Sequence, residues 1–281
     1  MNRQHLVLNS LLILFSLEFW PLQATDNLGS PPTMTVPKLT AEPLVTADLN
    51  DPAWQTAARS EPFTFATDRH DDARARIPVG AQLNPTHVLV GWTPKALYVR
   101  FICEGTDIYS PMRGPEQNYY LADSVETFID PKGDQRQWIE VIVSPENGVL
   151  HILHLYSAPT APSNADGVIS SGPDMWNIFG WAGLQDVKSA TNRWKTADGK
   201  SGWLVDVAFP PTILQRLNQN RFQPMTLRAN FVRNDYQFTA DSPVTRKMVP
   251  SNWSPTLNSM PHYSPSRMGY LRLAPNSPPS P

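Results

Sequence analysis

The sequence predicts an all-β chain: an antiparallel β-sandwich, jelly-roll-like, with long Pro-rich loops and minimal helix. Three observations carry this reading. Short runs of β-branched and aromatic residues recur along the chain, each closed by Pro, Gly or Asn turns. Proline makes up 29 of 281 residues, and it is costly inside helices and central strands, so turns dominate. Hydrophobic residues reach 41% and charged residues only 17%, which supplies a packed core for a single large domain.

The elements follow in order. Arg3, the apolar stretch from Leu6 to Leu17, and Pro21 before Leu22-Gln23-Ala24 read as an export signal over residues 1–24. The stretch is shorter than the roughly 20 apolar residues a membrane span needs. The chain is therefore expected to be exported (periplasmic, cell-surface or extracellular), meeting a membrane only if the signal is retained. Gly29, Pro31, Pro32 and Pro37 mark residues 25–37 as a flexible tether, residues 38–274 read as one domain, and residues 275–281 read as a disordered tail.

Within the domain, Thr86 to Trp92 and Ala96 to Cys103 form a hairpin across Thr93-Pro94-Lys95. Asp123 to Asp130 alternates Val125, Thr127 and Ile129 on one face with Ser124, Glu126 and Phe128 on the other. Gln137 to Val143 turns at Pro145-Glu146-Asn147-Gly148 into Val149 to Tyr156. A Pro/Ser/Gly-rich excursion from Ser157 to Pro173 follows. Gly202 to Phe209 is strand, Thr212 to Leu217 is the best helical stretch, and Leu227 to Asn234 and Gly269 to Leu273 complete the set.

A net charge of −2, from 23 basic and 25 acidic residues, argues against nucleic acid as a partner, which needs a clustered positive excess. The single cysteine, Cys103, ends an apolar run and reads as a buried small hydrophobe. Asp123, Glu126 and Asp130 lie in one strand, and paired carboxylates serve glycoside hydrolysis; strand-end acids more often form turns. His151 and His154 are three apart on a strand and point to opposite faces, so they do not share a metal ion. Asp68, Asp71 and Asp72 among Arg69, Arg74 and Arg76 are either an oxygen-rich calcium site or a self-paired loop. Asn252-Trp253-Ser254 matches a glycosylation sequon, which arises often by chance.

The loops carry the more specific chemistry. Arg113, Tyr119 and Tyr120 precede the Asp123 strand; Trp253, His262 and Tyr263 precede the last one. Planar rings beside Glu126 are what a sugar site requires: pyranose C–H faces stack on rings while hydroxyls take short polar partners. At least half of these rings are expected to pack the core instead.

Ordered landmarks then resemble a family. Leu49-Asn50-Asp51-Pro52-Ala53-Trp54, Trp92 to Phe101, Asp123-Ser124-Val125-Glu126-Thr127-Phe128-Ile129-Asp130 and Gly202 to Pro210 are similar to successive motifs of carbohydrate-binding module family 9. Leu227 to Arg233, Trp253-Ser254-Pro255 and Arg267-Met268-Gly269-Tyr270-Leu271-Arg272-Leu273 continue the resemblance, which spans Leu39 to Ala274. Such modules are often appended to xylanases. The resemblance implies a sandwich that binds sugars without cleaving them, clamps a chain-end sugar between two rings, and can hold structural calcium; no other cofactor is implied. Its partners would be an oligo- or polysaccharide and a polysaccharide-degrading enzyme acting on a substrate such as xylan. Carried over by position, Tyr120 stands at the first clamp ring, Glu126 at the acid that bonds sugar hydroxyls, and His262 or Tyr263 at the second ring. The family's arginine falls at Ile142, which cannot act as one. Trp176, Phe179, Trp181 and Trp194, in the longer stretch before the Gly202 strand, are candidates for a substitute wall.

Three rival readings stand beside this one. Met112, Met248, Met260 and Met268 would serve a haem-carrying sandwich as axial ligands, though no Cys-x-x-Cys-His is present. A hydrolase would need a second carboxylate near Glu126. A structural envelope protein would carry a decayed site.

Overall fold

The computed structural model describes residues 29–66, 77–157, 174–218, 221–256 and 261–275. The export signal, the tail, the Asp68–Asp72 cluster and Met260 lie outside the described residues.

Among the described residues fourteen strands form two sheets. In chain order they are β1 (Thr33–Val36), β2 (Ala58–Arg59), β3 (Thr64–Phe65), β4 (Thr86–Thr93), β5 (Ala96–Glu104), β6 (Ser124–Asp130) and β7 (Gln137–Val143). The second half holds β8 (Val149–Tyr156), β9 (Met175–Phe179), β10 (Lys188–Lys195), β11 (Ser201–Phe209), β12 (Thr226–Thr239), β13 (Ser242–Asn252) and β14 (Gly269–Leu273). Among the described residues the one α-helix is α1 (Pro211–Asn218), where Pro210-Pro211 ends β11; proline suits a first helical turn because its missing N–H needs no partner there.

The smaller sheet runs β10-β11-β5-β4-β2 and the larger β1-β14-β12-β6-β7-β8-β9, with β13 pairing β12 and β3. Among the described residues all pairings between these strands are antiparallel except β1 with β14. That exception corrects the tether: residues 33–36 are strand, because Met34 and Val36 alternate with exposed neighbours and enter the core.

The core lies between the sheets. Val88, Val90, Val99, Phe101, Val205 and Val207 of the smaller sheet meet Val125, Ile129, Ile139, Val141, Leu227 and Phe231 of the larger one, with Cys103 buried among them. Burial lifts the Cys103 thiol to about 12, so it stays an unreactive apolar filler.

Both outer faces are also built over. Residues 38–57 cross the outside of the smaller sheet, where Leu39 packs so closely on Gly91 that a Cβ there would stand 2.5 Å from its side chain. Beneath this segment Arg100 and Asp206 form a bidentate pair at 2.7 and 2.9 Å. On the larger sheet every residue of β6 is buried, so the face opposite the core is covered too. Its cover is the segment from Met112 to Leu121 on one side and the short turns Pro261–Tyr263 and Pro265–Arg267 on the other. A cavity remains between them.

Candidate functional site

The strand alternation decides which side chains reach that cavity. Val125, Thr127 and Ile129 point to the core side, so Ser124, Glu126, Phe128 and Asp130 stand on the outer face. Glu140 of β7, Ile152 and His154 of β8, Asn177 and Phe179 of β9, and Asn234 and Tyr236 of β12 share that face. With Tyr120, Met248, His262 and Tyr263 they line a cavity of about 430 Å³, within the range that holds small ligands.

Register brings the two acids together. Glu126 pairs across with Ile142, and Phe128 pairs with Glu140, so Glu126 and Glu140 are diagonal neighbours on adjacent strands. Such neighbours stand about 7–8 Å apart. Asn234 donates to Glu126 Oε1 at 2.6 Å and to Ser124 Oγ at 3.2 Å. His154 Nε2 lies 2.7 Å from Glu140 Oε2, and its Nδ1 lies 2.8 Å from Asn177 Oδ1.

Burial sets the charge state. The Glu126 carboxyl is pushed well above the usual carboxylate range by burial, then by Glu140 nearby, while Asn234 pulls the other way. Burial raises Glu140 to about 8 and lowers His154 to about 4, with the Asn177 bond opposing the latter shift. At neutral pH the bonding pattern assigns a neutral imidazole that donates from Nδ1 to Asn177 and accepts at Nε2 from Glu140 in its acid form. His154 is stacked between Trp138, at 5.5 Å, and His262, at 5.7 Å, and Tyr263 adjoins His262 at 4.1 Å. Burial and His154 lower His262 to about 3, so the column of rings carries no positive charge near neutrality.

Of the seven sugar-site residues expected from the sequence, four meet in this cavity: Tyr120, Glu126, His262 and Tyr263. Three do not. Tyr119 is fully buried over Ile142, Leu150 and Ile152, its hydroxyl donating to the Gly114 carbonyl, so it anchors the turn that presents Tyr120. Trp253 packs against the core 5.4 Å from Phe231, and Gly269 makes room for it: a Cβ there would stand 2.5 Å from its ring. Arg113 lines a separate groove of about 370 Å³ with Glu116, Tyr119 and His151, and its guanidinium donates to the carbonyls of Ser110 and Met112. The reason is common to all three: a ring or guanidinium close in sequence to a site is aimed by its own turn, not by its neighbour's.

The remaining expectations resolve similarly. Asp123 and Asp130 are turn and loop acids: Asp123 accepts from the Tyr109 and Tyr236 amides, and Asp130 from those of Lys132, Gly133 and Gln135. His151 and His154 do face opposite ways, His151 bonding Glu116. Asn252 of the sequon is fully buried and donates to Thr256. Phe179 serves as cavity wall; Trp194 is buried under the segment crossing the smaller sheet, Trp181 packs on the core, and Trp176 is exposed away from the cavity. Of the methionines, Met248 lines the cavity, while Met268 is core and Met112 packs beneath Tyr119. Among the described residues no group of three or more His, Cys, Asp and Glu is placed to hold a metal ion.

Glu140, His154, Asn177, Asn234 and Tyr236 are site residues that sequence reasoning missed. One signal was available for Glu140: a lone carboxylate centred in the apolar strand Trp138-Ile139-Glu140-Val141-Ile142 is costly to bury without a purpose.

No protein-family model matches this chain, and no curated protein sequence matches it. Solved structures do share its fold. A Bacteroides uniformis protein proposed to bind carbohydrate is 13% identical, with a TM-score of 0.60 over 87% of this chain and 100% of that one. A carbohydrate-binding module of family 9 from Caldicellulosiruptor kristjanssonii, solved with glucose, is 13% identical, with a TM-score of 0.51 over 89% of this chain and 98% of that one. The chain therefore has the family 9 module fold, an all-β sandwich.

Proposed function

We propose that this chain is an exported, non-catalytic carbohydrate-binding protein that takes one sugar unit of an oligo- or polysaccharide in the cavity on the larger sheet. One observation carries the reading. The cavity combines the rings of Tyr120, Phe179, Tyr236 and Tyr263 with two carboxyls, and among the described residues only one oxygen of each carboxyl has a protein partner. Rings take the apolar C–H faces of a pyranose, and the remaining oxygens of Glu126 and Glu140 bond its hydroxyls. The neighbour solved with glucose supports the reading through its shared fold. The signal-like residues 1–24 support export, and service to a polysaccharide-degrading enzyme is the role the family resemblance implies. A site for a single sugar unit binds at micromolar to millimolar affinity, or about 4–8 kcal/mol.

A second reading, glycoside hydrolysis, is favoured by Glu140 standing beside Glu126. Hydrolysis needs one carboxyl as acid and the other ionised as nucleophile or base. Here burial drives both toward the acid form, which suits hydrogen bonding to a sugar and leaves no ionised partner. Titration calorimetry with soluble gluco- and xylo-oligosaccharides tests binding, and reducing-sugar release from the same mixtures tests cleavage. Saturable heat without new reducing ends is expected. New reducing ends would establish the hydrolase, and neither signal at millimolar sugar would remove both readings.

A further inference from the structure

The charge pattern of the cavity goes beyond sugar binding in general and, resting on that reading, names the class of sugar. Two carboxyls face the cavity, yet among the described residues no lysine or arginine lines it. Glu126 stands in register between Ile142 on β7 and Val232 on β12, so neither cross-strand neighbour supplies a cation. Ile142 is itself sealed beneath Tyr119 and Leu150. Asn234 occupies Oε1 of Glu126 and His154 occupies Oε2 of Glu140; the other oxygen of each has no partner among the described residues. The titratable groups facing the pair from the surrounding elements are Tyr120, Tyr236, His154, His262 and Tyr263, and none of them is a permanent cation.

We propose that this cavity selects a sugar bearing a protonated amine, a 2-amino-2-deoxyhexose of a deacetylated glycan, over its neutral counterpart, and rejects a uronic acid. An ammonium group donates three hydrogen bonds. It matches the spare oxygens of Glu126 and Glu140 and the face of an adjacent ring, whereas a hydroxyl donates one. The acids repel each other when ionised, and a cation between them removes that repulsion. The proton balance is simple: the ammonium keeps its proton, Glu126 becomes a carboxylate, and its proton passes to the buffer. A uronate would bring a buried negative charge into a site with no cation to meet it, a large desolvation cost.

The test is titration calorimetry of the whole chain, at mildly acidic pH, with glucose, glucosamine and glucuronic acid, the last two each differing from glucose at one substituent. Glucosamine should bind about tenfold tighter than glucose, the gain of a charge-assisted over a neutral hydrogen bond, and glucuronic acid should give no measurable heat. Repeating the glucosamine titration in buffers of different ionisation enthalpy should reveal proton release that glucose does not produce. Glu126→Gln and Glu140→Gln, each checked for folding by circular dichroism, should weaken glucosamine binding more than glucose binding and so bring the two sugars to the same affinity. Glucose binding as tightly as glucosamine would overturn the proposal and leave the sugar-binding reading standing. A preference that survives both variants would overturn it as well. Absence of heat with all three sugars and with cellotriose would overturn the sugar-binding reading itself.

Discussion

Replacing Asp206 with alanine should destabilise the chain by about 3–5 kcal/mol, because it strands a buried charge. Arg100 on β5 and Asp206 on β11 pair in register and are each 1% exposed. Nε and Nη2 of Arg100 donate to the two Asp206 oxygens, and Oδ2 also accepts from the Ala47 amide at 2.8 Å. The guanidinium lies 4.6 Å over the Trp54 ring, an attraction worth about 0.5–2 kcal/mol, too little to replace a carboxylate. Losing the acceptor for Ala47 also loosens the segment that crosses the smaller sheet. A loss of this size lowers the thermal midpoint by about 6–20 °C. The double variant Arg100→Met/Asp206→Leu removes both charges while keeping volume, and should recover most of the loss. Urea melts of the parent, Arg100→Met, Asp206→Leu and the double variant form the required cycle. Sugar affinity should not change, since the pair lies on the far sheet from the cavity. If the double variant cost the sum of the singles, the two residues would not be acting as one buried unit, and the reasoning would fail.

Other outcomes follow from the same structure. Tyr120→Ala should weaken sugar binding about tenfold with little loss of stability, whereas Tyr119→Ala should cost about 3–5 kcal/mol in a urea melt as a fully buried ring is removed. Stability should also fall as pH rises from about 6.5 to 8. Glu140, raised to about 8, stays protonated in the folded chain while its unfolded counterpart has already ionised, so the unfolded state binds fewer protons across that window. His154 and His262, lowered to about 4 and 3, act in the opposite sense but only below their ordinary value of 6.5. Denaturation midpoints across this pH range should decline, and Glu140→Gln should flatten the decline; a rise with pH would contradict the burial of these acids.

Most of the fold was legible locally. The alternation of Val125, Thr127 and Ile129 against Glu126 and Phe128 fixes which face of β6 is core, and the Thr93-Pro94-Lys95 turn fixes the β4–β5 hairpin. The strand at Thr33–Val36 was hidden because its pairing partner, β14, lies more than two hundred residues further along. The same physics limits the site. Tyr120 and Glu126 share one local segment and were found together, but Asn234 and Tyr236 reach Glu126 only through the β12–β6 pairing, and His154 reaches Glu140 only through β7–β8. Register between distant strands is set by the whole sheet, not by any window of sequence. The misplaced residues, Tyr119, Arg113 and Trp253, show the complementary limit: being close in sequence to a site residue says nothing about which way a turn aims a side chain.

The central claim is that the cavity on the outer face of the larger sheet, and not the Arg113 groove, receives the sugar. A crystal structure of the chain soaked with glucose tests it most directly. The account predicts one pyranose in the cavity between β6, β7 and the Pro261–Tyr263 turn, against the ring of Tyr120 or Tyr263 and bonded to Glu126 or Glu140. A pyranose seated instead beside Arg113, Glu116 and His151, with the Glu126 cavity empty, would contradict it.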